Sequence, residues 1–245
     1  MAALYAVPLH APTACQRERC EDAKDAMKIL MSWSSGKDSA WAVHLLRQQG
    51  HAPAALLTSI NETADRVSMH AVRSEVLRAQ ADAAGLPLIT VPLPWPCSNE
   101  IYEERMGAAV RAAVADGFTH VAFGDLFLED VRRYREDRLA GSGLAPLFPL
   151  WGMPTDRLAR EMIAGGIEAR ITCLDPRVIP RELAGRLFDE ALLADLPAGV
   201  DPCAERGEFH TCVVAGPMFS TPIDVALGDT IERDGFVFTD LRIQP

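Results

Sequence analysis

Six consecutive residues, Ser34-Ser35-Gly36-Lys37-Asp38-Ser39, carry the clearest chemistry in the chain. They join three hydroxyls, an ammonium and a carboxylate to a glycine that lets the backbone approach a ligand closely. The apolar run Ile29-Leu30-Met31-Ser32-Trp33 leads into them, and a helix-like run from Ser39 to Gln48 leaves them, with Gly50 able to end it. The first turn of a helix has N–H groups without internal partners and carries partial positive charge. Strand, small-residue turn and helix start together make an anion site, and phosphate is its usual occupant. The spacing is not G-x-x-x-x-G-K-[ST], because Met31 stands where the first glycine would be, nor is it G-x-G-x-x-G. Lys37 is one of three lysines, against twenty-one arginines, and no lysine follows it. A compact ammonium suits a tight phosphate turn better than a guanidinium fork.

The elements that must position this turn alternate. Strand-like runs are expected at Lys28–Trp33, Ala54–Ile60, Leu88–Val91 and His120–Phe123. Helices are expected at His70–Ala84 and from Ser98 or Asn99 to about Asp116. Strands that are apolar throughout, spaced by helices, indicate a parallel sheet covered on both faces. Ligands on such sheets bind beyond the carboxyl ends of the strands. That edge would gather the turn, Asn61 and Glu62, the loop Pro92–Asn99, and Gly124-Asp125. The rhythm changes at Gly141-Ser142-Gly143, which reads as a hinge. Beyond it a helix Asp156–Ala164, a strand Ile167–Leu174, a helical pair Arg181–Leu193, and β segments Thr211–Ala215 and Phe236–Ile243 suggest a smaller α+β part. The expected division is an extension at 1–26, disordered or preceding the natural start, then an α/β domain at 27–140 and a closing domain at 141–245.

Composition sets the wider limits. The formal net charge is −10 and 49% of residues are hydrophobic, so a sizeable core is available and a general nucleic-acid or membrane-surface binder is disfavoured. None of the six cysteines has C-x-x-C spacing. Reduced thiols in a cytoplasmic protein are the expectation. No window approaches the length of a membrane-spanning helix.

The turn closely resembles the S-G-G-K-D-S signature of the PP-loop ATP pyrophosphatases, with Ser35 where that superfamily usually has Gly. Further segments resemble the diphthine–ammonia ligase family, also labelled adenine nucleotide alpha hydrolase-like. They are Val67-Ser68-Met69-His70, Gly85-Leu86-Pro87-Leu88, Phe123-Gly124-Asp125, Asp130 with Arg133 and Arg135, Pro149-Leu150-Trp151, and Glu205-Arg206-Gly207-Glu208-Phe209-His210-Thr211. The last is similar to that family's E-G-G-E-Y-E-T, with Arg206 for Gly and His210 for Glu. The resemblance runs from about Met27 to the C-terminus. It implies a Rossmann-like (HUP/PP-loop) parallel sheet with helices on both faces, plus a smaller C-terminal α+β domain. It also implies that ATP and Mg²⁺ bind, a substrate carboxylate is adenylated, and ammonia displaces AMP to form an amide. The family substrate is diphthine, a modified histidine on a translation elongation factor. This chain's own acceptor is open, as a small-molecule or protein carboxylate, and so is a homodimer.

On that reading the backbone of Ser34 to Ser39 and the hydroxyls of Ser34, Ser35 and Ser39 hold the leaving pyrophosphate, with Gly36 and Gly124 lining the nucleotide site. Lys37 neutralises charge as the α–β bond breaks. Asp38 either holds Mg²⁺ or caps the helix. Asp125 serves Mg²⁺ or substrate, or is only a turn residue. Arg133 and Arg135 contact phosphate or a substrate carboxylate, although Arg132, Arg133, Arg135 and Arg138 also fit a solvated helix face. Glu205 and Glu208 orient ammonia, or are ordinary loop carboxylates. His210, with Thr211, borders the substrate and is a candidate base. His70 precedes a helix and also fits a plain position near its N-cap, and the four tryptophans read as packing. The competing functions are a tRNA-modifying PP-loop enzyme and a non-catalytic adenine-nucleotide-binding protein.

Overall fold

The computed structural model describes residues 27–244, so the expected extension lies outside the described residues. The first sheet holds β1 (Ile29–Ser32), β2 (Ala55–Asn61), β3 (Arg66–Val67), β4 (Leu88–Leu93), β5 (His120–Ala122) and β6 (Ala145–Leu147). Its parallel order is β4-β2-β1-β5-β6, with β3 antiparallel to the end of β2. Strand order reverses at β1, which lies between β2 and β5, and such a reversal opens a crevice at the carboxyl edge. The turn 34–39 leaves β1 at that crevice and Gly124-Asp125 follows β5 there.

Helices α1 (Lys37–Gln48) and α2 (Ser74–Ala84) cover one face, and α3 (Asn99–Ala115) and α4 (Glu129–Leu139) the other. Along β1 the side chains alternate: Ile29 and Met31 join the core with α1 and α2, and Leu30 joins the core with α3. The rest comprises α5 (Thr155–Ala164), β7 (Glu168–Leu174), a 3₁₀ turn at Arg181–Leu183, α6 (Glu190–Asp195), β8 (Phe209–Ala215), β9 (Val225–Arg233) and β10 (Phe236–Ile243). These strands form an antiparallel sheet in the order β8-β7-β10-β9. The two sheets share one apolar core through α1 and α2: Trp33, Trp41 and Val76 pack in one cluster with Met162, Phe209 and Val237. Among the described residues no helix is long and apolar enough to cross a membrane.

Several expectations need correcting. Residues 70–73 are not helical, because Ala71 N–H donates to the Val67 carbonyl and Val67 N–H to the Val72 carbonyl, closing a turn ahead of α2. Arg181–Leu193 is not a helical pair. Between the 3₁₀ turn and α6, Gly185 and Phe188 donate to the carbonyls of Ile171 and Ala169, so this stretch lies along β7. Strand β6 lies past the glycines read as a hinge, yet it completes the first sheet. It accommodates Pro146 because β6 is an edge, where a missing N–H breaks no ladder. Strand β9 is absent from the sequence reading.

Candidate active site

The turn is drawn together by its own hydroxyls. Ser39 Oγ lies 3.1 Å from Ser34 Oγ and 3.0 Å from the Gly36 carbonyl, and Gly36 N–H donates to Ser34 Oγ at 3.3 Å. Ser35 adopts a left-handed backbone, with φ of 70°. Its carbonyl accepts from Gln80 Nε2 and from Val213 N–H, whereas its Oγ is buried without a partner. Gln80 also accepts from Trp33 Nε1, so α2 and β8 lock the turn from outside. Gly36 is the residue preceding α1, and its side-chain position is filled by His70: a Cβ there would lie 2.7 Å from His70 Cε1. A Cβ on Gly124 would lie 2.9 Å from Ser39 N, so β5 delivers a glycine flush against the start of α1.

Lys37 is 2% exposed. Its ammonium contacts both Asp38 oxygens at 2.9 and 3.0 Å and the Cys203 carbonyl at 2.5 Å, beneath the rings of Phe188 and Phe209. Burial alone would lower its pKa, but the Asp38 carboxylate outweighs burial and holds Lys37 as an ammonium. Its backbone N–H donates to Thr211 Oγ1 at 3.2 Å. Asp38 therefore serves as the partner of Lys37, and no side chain caps α1.

Residues 201–211 close the site from the second sheet. Asp201 accepts from the N–H groups of Cys203 and Glu205, which fixes the bend presenting the Cys203 carbonyl. Glu205 accepts from Leu126 N–H at 2.8 Å, tying this bend to the loop after β5. Burial pushes its carboxyl up to about 7, and the charges of Asp38 and Asp125 add to the rise. Glu208 is 7% exposed; one oxygen accepts from Asp201 N–H and the other is buried without a partner. The two glutamates thus have separate contacts and do not present a shared pair. His210 and Thr211 lie within β8, and His210 packs on His70 with ring centroids 4.7 Å apart. Burial, His70 and Lys37 lower His210 to about 3, which makes it a weak base.

The arginines divide. Arg135 lies over Phe123 and contacts Asp125 at 3.4 Å, within the site. Arg133 is exposed and lines a separate hollow of about 260 Å³ with Glu129, Arg132, Glu136 and Trp151. Residues two apart on a helix point to different faces. Trp33 and Trp41 are buried as expected, whereas Trp95 is 70% exposed. Sequence reasoning missed Gln80, Asp201 and the Cys203 carbonyl, and it gave His70 no place against the turn. Asp201 and Cys203 directly precede the Glu205–Thr211 motif, and that adjacency was the available signal.

Two family models match the chain and together span most of it. The description of one is diphthamide synthase N-terminal domain, over residues 27–143, and of the other diphthamide synthase C-terminal domain, over residues 154–240. The chain belongs to the diphthamide synthase family. The first model spans the phosphate turn and Gly124, and the second spans Glu205 to Thr211, so the site is built from both diphthamide synthase modules. The diphthine–ammonia ligases of Rattus norvegicus and Homo sapiens are each 25% identical to this chain, over 86% of it and 88% of their own length. That of Schizosaccharomyces pombe is 22% identical over 89% of this chain and 39% of its own length.

Proposed function

We propose that this chain is an ATP-dependent, AMP-forming carboxylate–ammonia ligase. The observation that carries the reading is the contact of Lys37 with both halves: it lies in the phosphate turn, yet its N–H and ammonium are held by Thr211 and Cys203. The turn suits a polyphosphate, with a helix start, three hydroxyls, a buried Ser35 Oγ free to donate, and glycines at the two closest approaches. Mg²⁺ keeps phosphate and water ligands, so one partly exposed carboxylate beside the turn, that of Asp38, suits it on the protein side. Asp38 would hold it, and when bound it would offset phosphate charge.

A carboxylate oxygen attacks the α-phosphorus, the bond to the β-phosphate oxygen breaks, and pyrophosphate leaves onto the turn. The fixed Lys37 ammonium and the N–H groups of the turn stabilise the charge that develops there. Ammonia then forms the C–N bond as the C–O bond to AMP breaks. Glu205 at the crevice titrates near neutrality and can take the proton released. The relatives' name, diphthine–ammonia ligase, supports ammonia as the nitrogen donor and a diphthine-like carboxylate as the acceptor class. The free cysteines at 97, 173, 203 and 212 fit a cytoplasmic setting. The test is AMP and pyrophosphate release from ATP with ammonium and a panel of carboxylates. Wild type is expected to release both in equal amounts, and Lys37→Ala at least about a hundredfold more slowly. Equal background in the two proteins refutes the ligase reading.

A further inference from the structure

We propose that His70 and His210 form a phosphate-contacting pair at the turn, and that a pyrophosphate group bound there loads a proton onto the pair. The inference rests on the nucleotide reading above. Both residues are partly exposed, with rings buried enough to lower their pKa values: His70 lies against Gly36 in the turn, and His210 packs on His70 from β8. His70 Nδ1 lies 2.9 Å from the Thr211 carbonyl. A carbonyl can only accept, so Nδ1 carries the hydrogen and Nε2 of the neutral ring keeps its lone pair. A lone pair facing phosphate oxygens repels them, and protonation of Nε2 turns it into a donor.

The backbone around His70 supports a placed side chain. Met69 and Ala71, on either side, both have left-handed φ values of 65° and 55°. Residues with a Cβ keep that conformation only where their surroundings impose it, and such positions cluster at functional sites. The ordinary explanation, a residue beside a helix N-cap, does not apply, because α2 begins at Ser74.

Electrostatics determines the direction of the proton. Burial lowers His70 to about 4, and Lys37 adds to the fall; burial, His70 and Lys37 lower His210 to about 3. The other groups nearby do not reverse this. Cys173, opposite His210 on β7, has its thiol pushed up to about 12 by burial and is uncharged. Arg66, which donates to the Ala71 carbonyl, is cationic and paired with Asp240. The pair is therefore neutral in the free protein. One opposite charge within contact range raises a histidine's pKa by roughly one to three. A pyrophosphate carries several such charges, enough to bring His70 to neutral pH.

Titration calorimetry with inorganic pyrophosphate and Mg²⁺, in buffers of different ionisation heat, reads this directly. Wild type is expected to take up close to one proton more than a His70→Asn, His210→Asn double variant, and its affinity to rise as pH falls from 8 to 6 while the variant's rises less. The ligand's own titration is common to both and cancels in the difference. Imidazole ¹⁵N spectra of wild type, which require no variant, should show at least one of the two rings changing from neutral to protonated at pH 7 on saturation. Binding with equal proton uptake and both imidazoles still neutral overturns the inference and leaves the nucleotide reading intact. No binding of pyrophosphate or ATP to wild type overturns both.

Discussion

Replacing Ser35 with glycine should stabilise the free protein and weaken its hold on phosphate. Ser35 is fully buried, its φ is 70°, and its Oγ has no partner. A side chain in the left-handed region costs roughly 1–2 kcal/mol. A buried hydroxyl that makes no hydrogen bond costs roughly 1–3 kcal/mol more. Glycine returns roughly 0.5–1 kcal/mol through its greater freedom in the unfolded chain. The backbone contacts survive, because Gln80 and Val213 bind the residue's carbonyl. The net gain is about 2 kcal/mol, or a rise in Tm of roughly 4–8 °C for a chain of this size.

Thermal unfolding without nucleotide measures this, with Ser35→Ala as the control that removes the hydroxyl and keeps the backbone strain. The expected order of Tm is Gly above Ala above wild type. If the Oγ is kept unpaired for a phosphate oxygen, both variants bind ATP roughly tenfold or more weakly, the value of one hydrogen bond to a charged group. A Tm for Ser35→Gly at or below wild type refutes the strain argument. A Tm for alanine equal to that for glycine assigns the whole gain to the hydroxyl.

Gly124→Ala should cost roughly 1–3 kcal/mol and weaken ATP binding, because its Cβ meets the backbone of Asp38 and Ser39 and displaces the start of α1. Denaturant unfolding and nucleotide titration would read the two effects. Asp240 is held by Arg66, Arg73 and Arg242. Burial alone would raise its carboxyl, but hydrogen bonds from these arginines outweigh it and hold the pKa below the ordinary range. Its stabilisation is thus present above about pH 4, the unfolded value, and is lost as pH falls through the folded value. Asp240→Asn should lose roughly 2 kcal/mol at pH 7 and progressively less in acid, as chemical denaturation from pH 7 to 3 would show. Glu205 has the opposite sign. Its folded value near 7 exceeds its unfolded 4.5, so its contribution favours folding at low pH and is lost as pH rises to 7. Glu205→Gln should remove that decline in Tm between pH 5 and 8, and should flatten a kcat/KM profile that rises through about pH 7 in wild type.

The first half of the fold was legible because parallel strands such as Ala55–Leu57 are buried on both faces and read as continuous apolar runs. The turn was legible because its residues are contiguous. What closes the site was less so. Lys37 meets Thr211 and Cys203 across 174 and 166 residues, and no local pattern encodes such pairs. Strand β9 was invisible because it is a sheet edge with Leu227 and Ile231 exposed, so it carries no alternation toward a core. Its Gly228 is kept by a close approach to Asp240, a tertiary constraint. The polar α4 concealed which arginine faced the site, although the two-residue spacing of Arg133 and Arg135 already meant that only one could.

The departures from the family motifs have a common location. Ser35 replaces a glycine in the turn and touches β8 through Val213. His210 replaces a glutamate in β8 and packs on His70, which in turn packs on Gly36. Arg206 replaces a glycine and lies over Phe127, just past the Leu126 N–H that Glu205 accepts. These three border the seam between the phosphate turn with its neighbouring loop and the closing strand; a fourth, Phe209 in the motif's Tyr position, is buried against Lys37, and Lys37, Asp38, Ser39 and Glu208 match the motif. If the proposed acceptor carboxylate approaches the nucleotide from β8, these three side chains line its path. Arg206→Gly should therefore alter which carboxylates support AMP release and leave pyrophosphate binding within about threefold, whereas His210→Glu should alter that preference and also weaken pyrophosphate binding, because it sets a carboxylate against His70 beside the turn. A change of the reverse kind, with weakened pyrophosphate binding and unaltered acceptor preference, would place the specificity elsewhere.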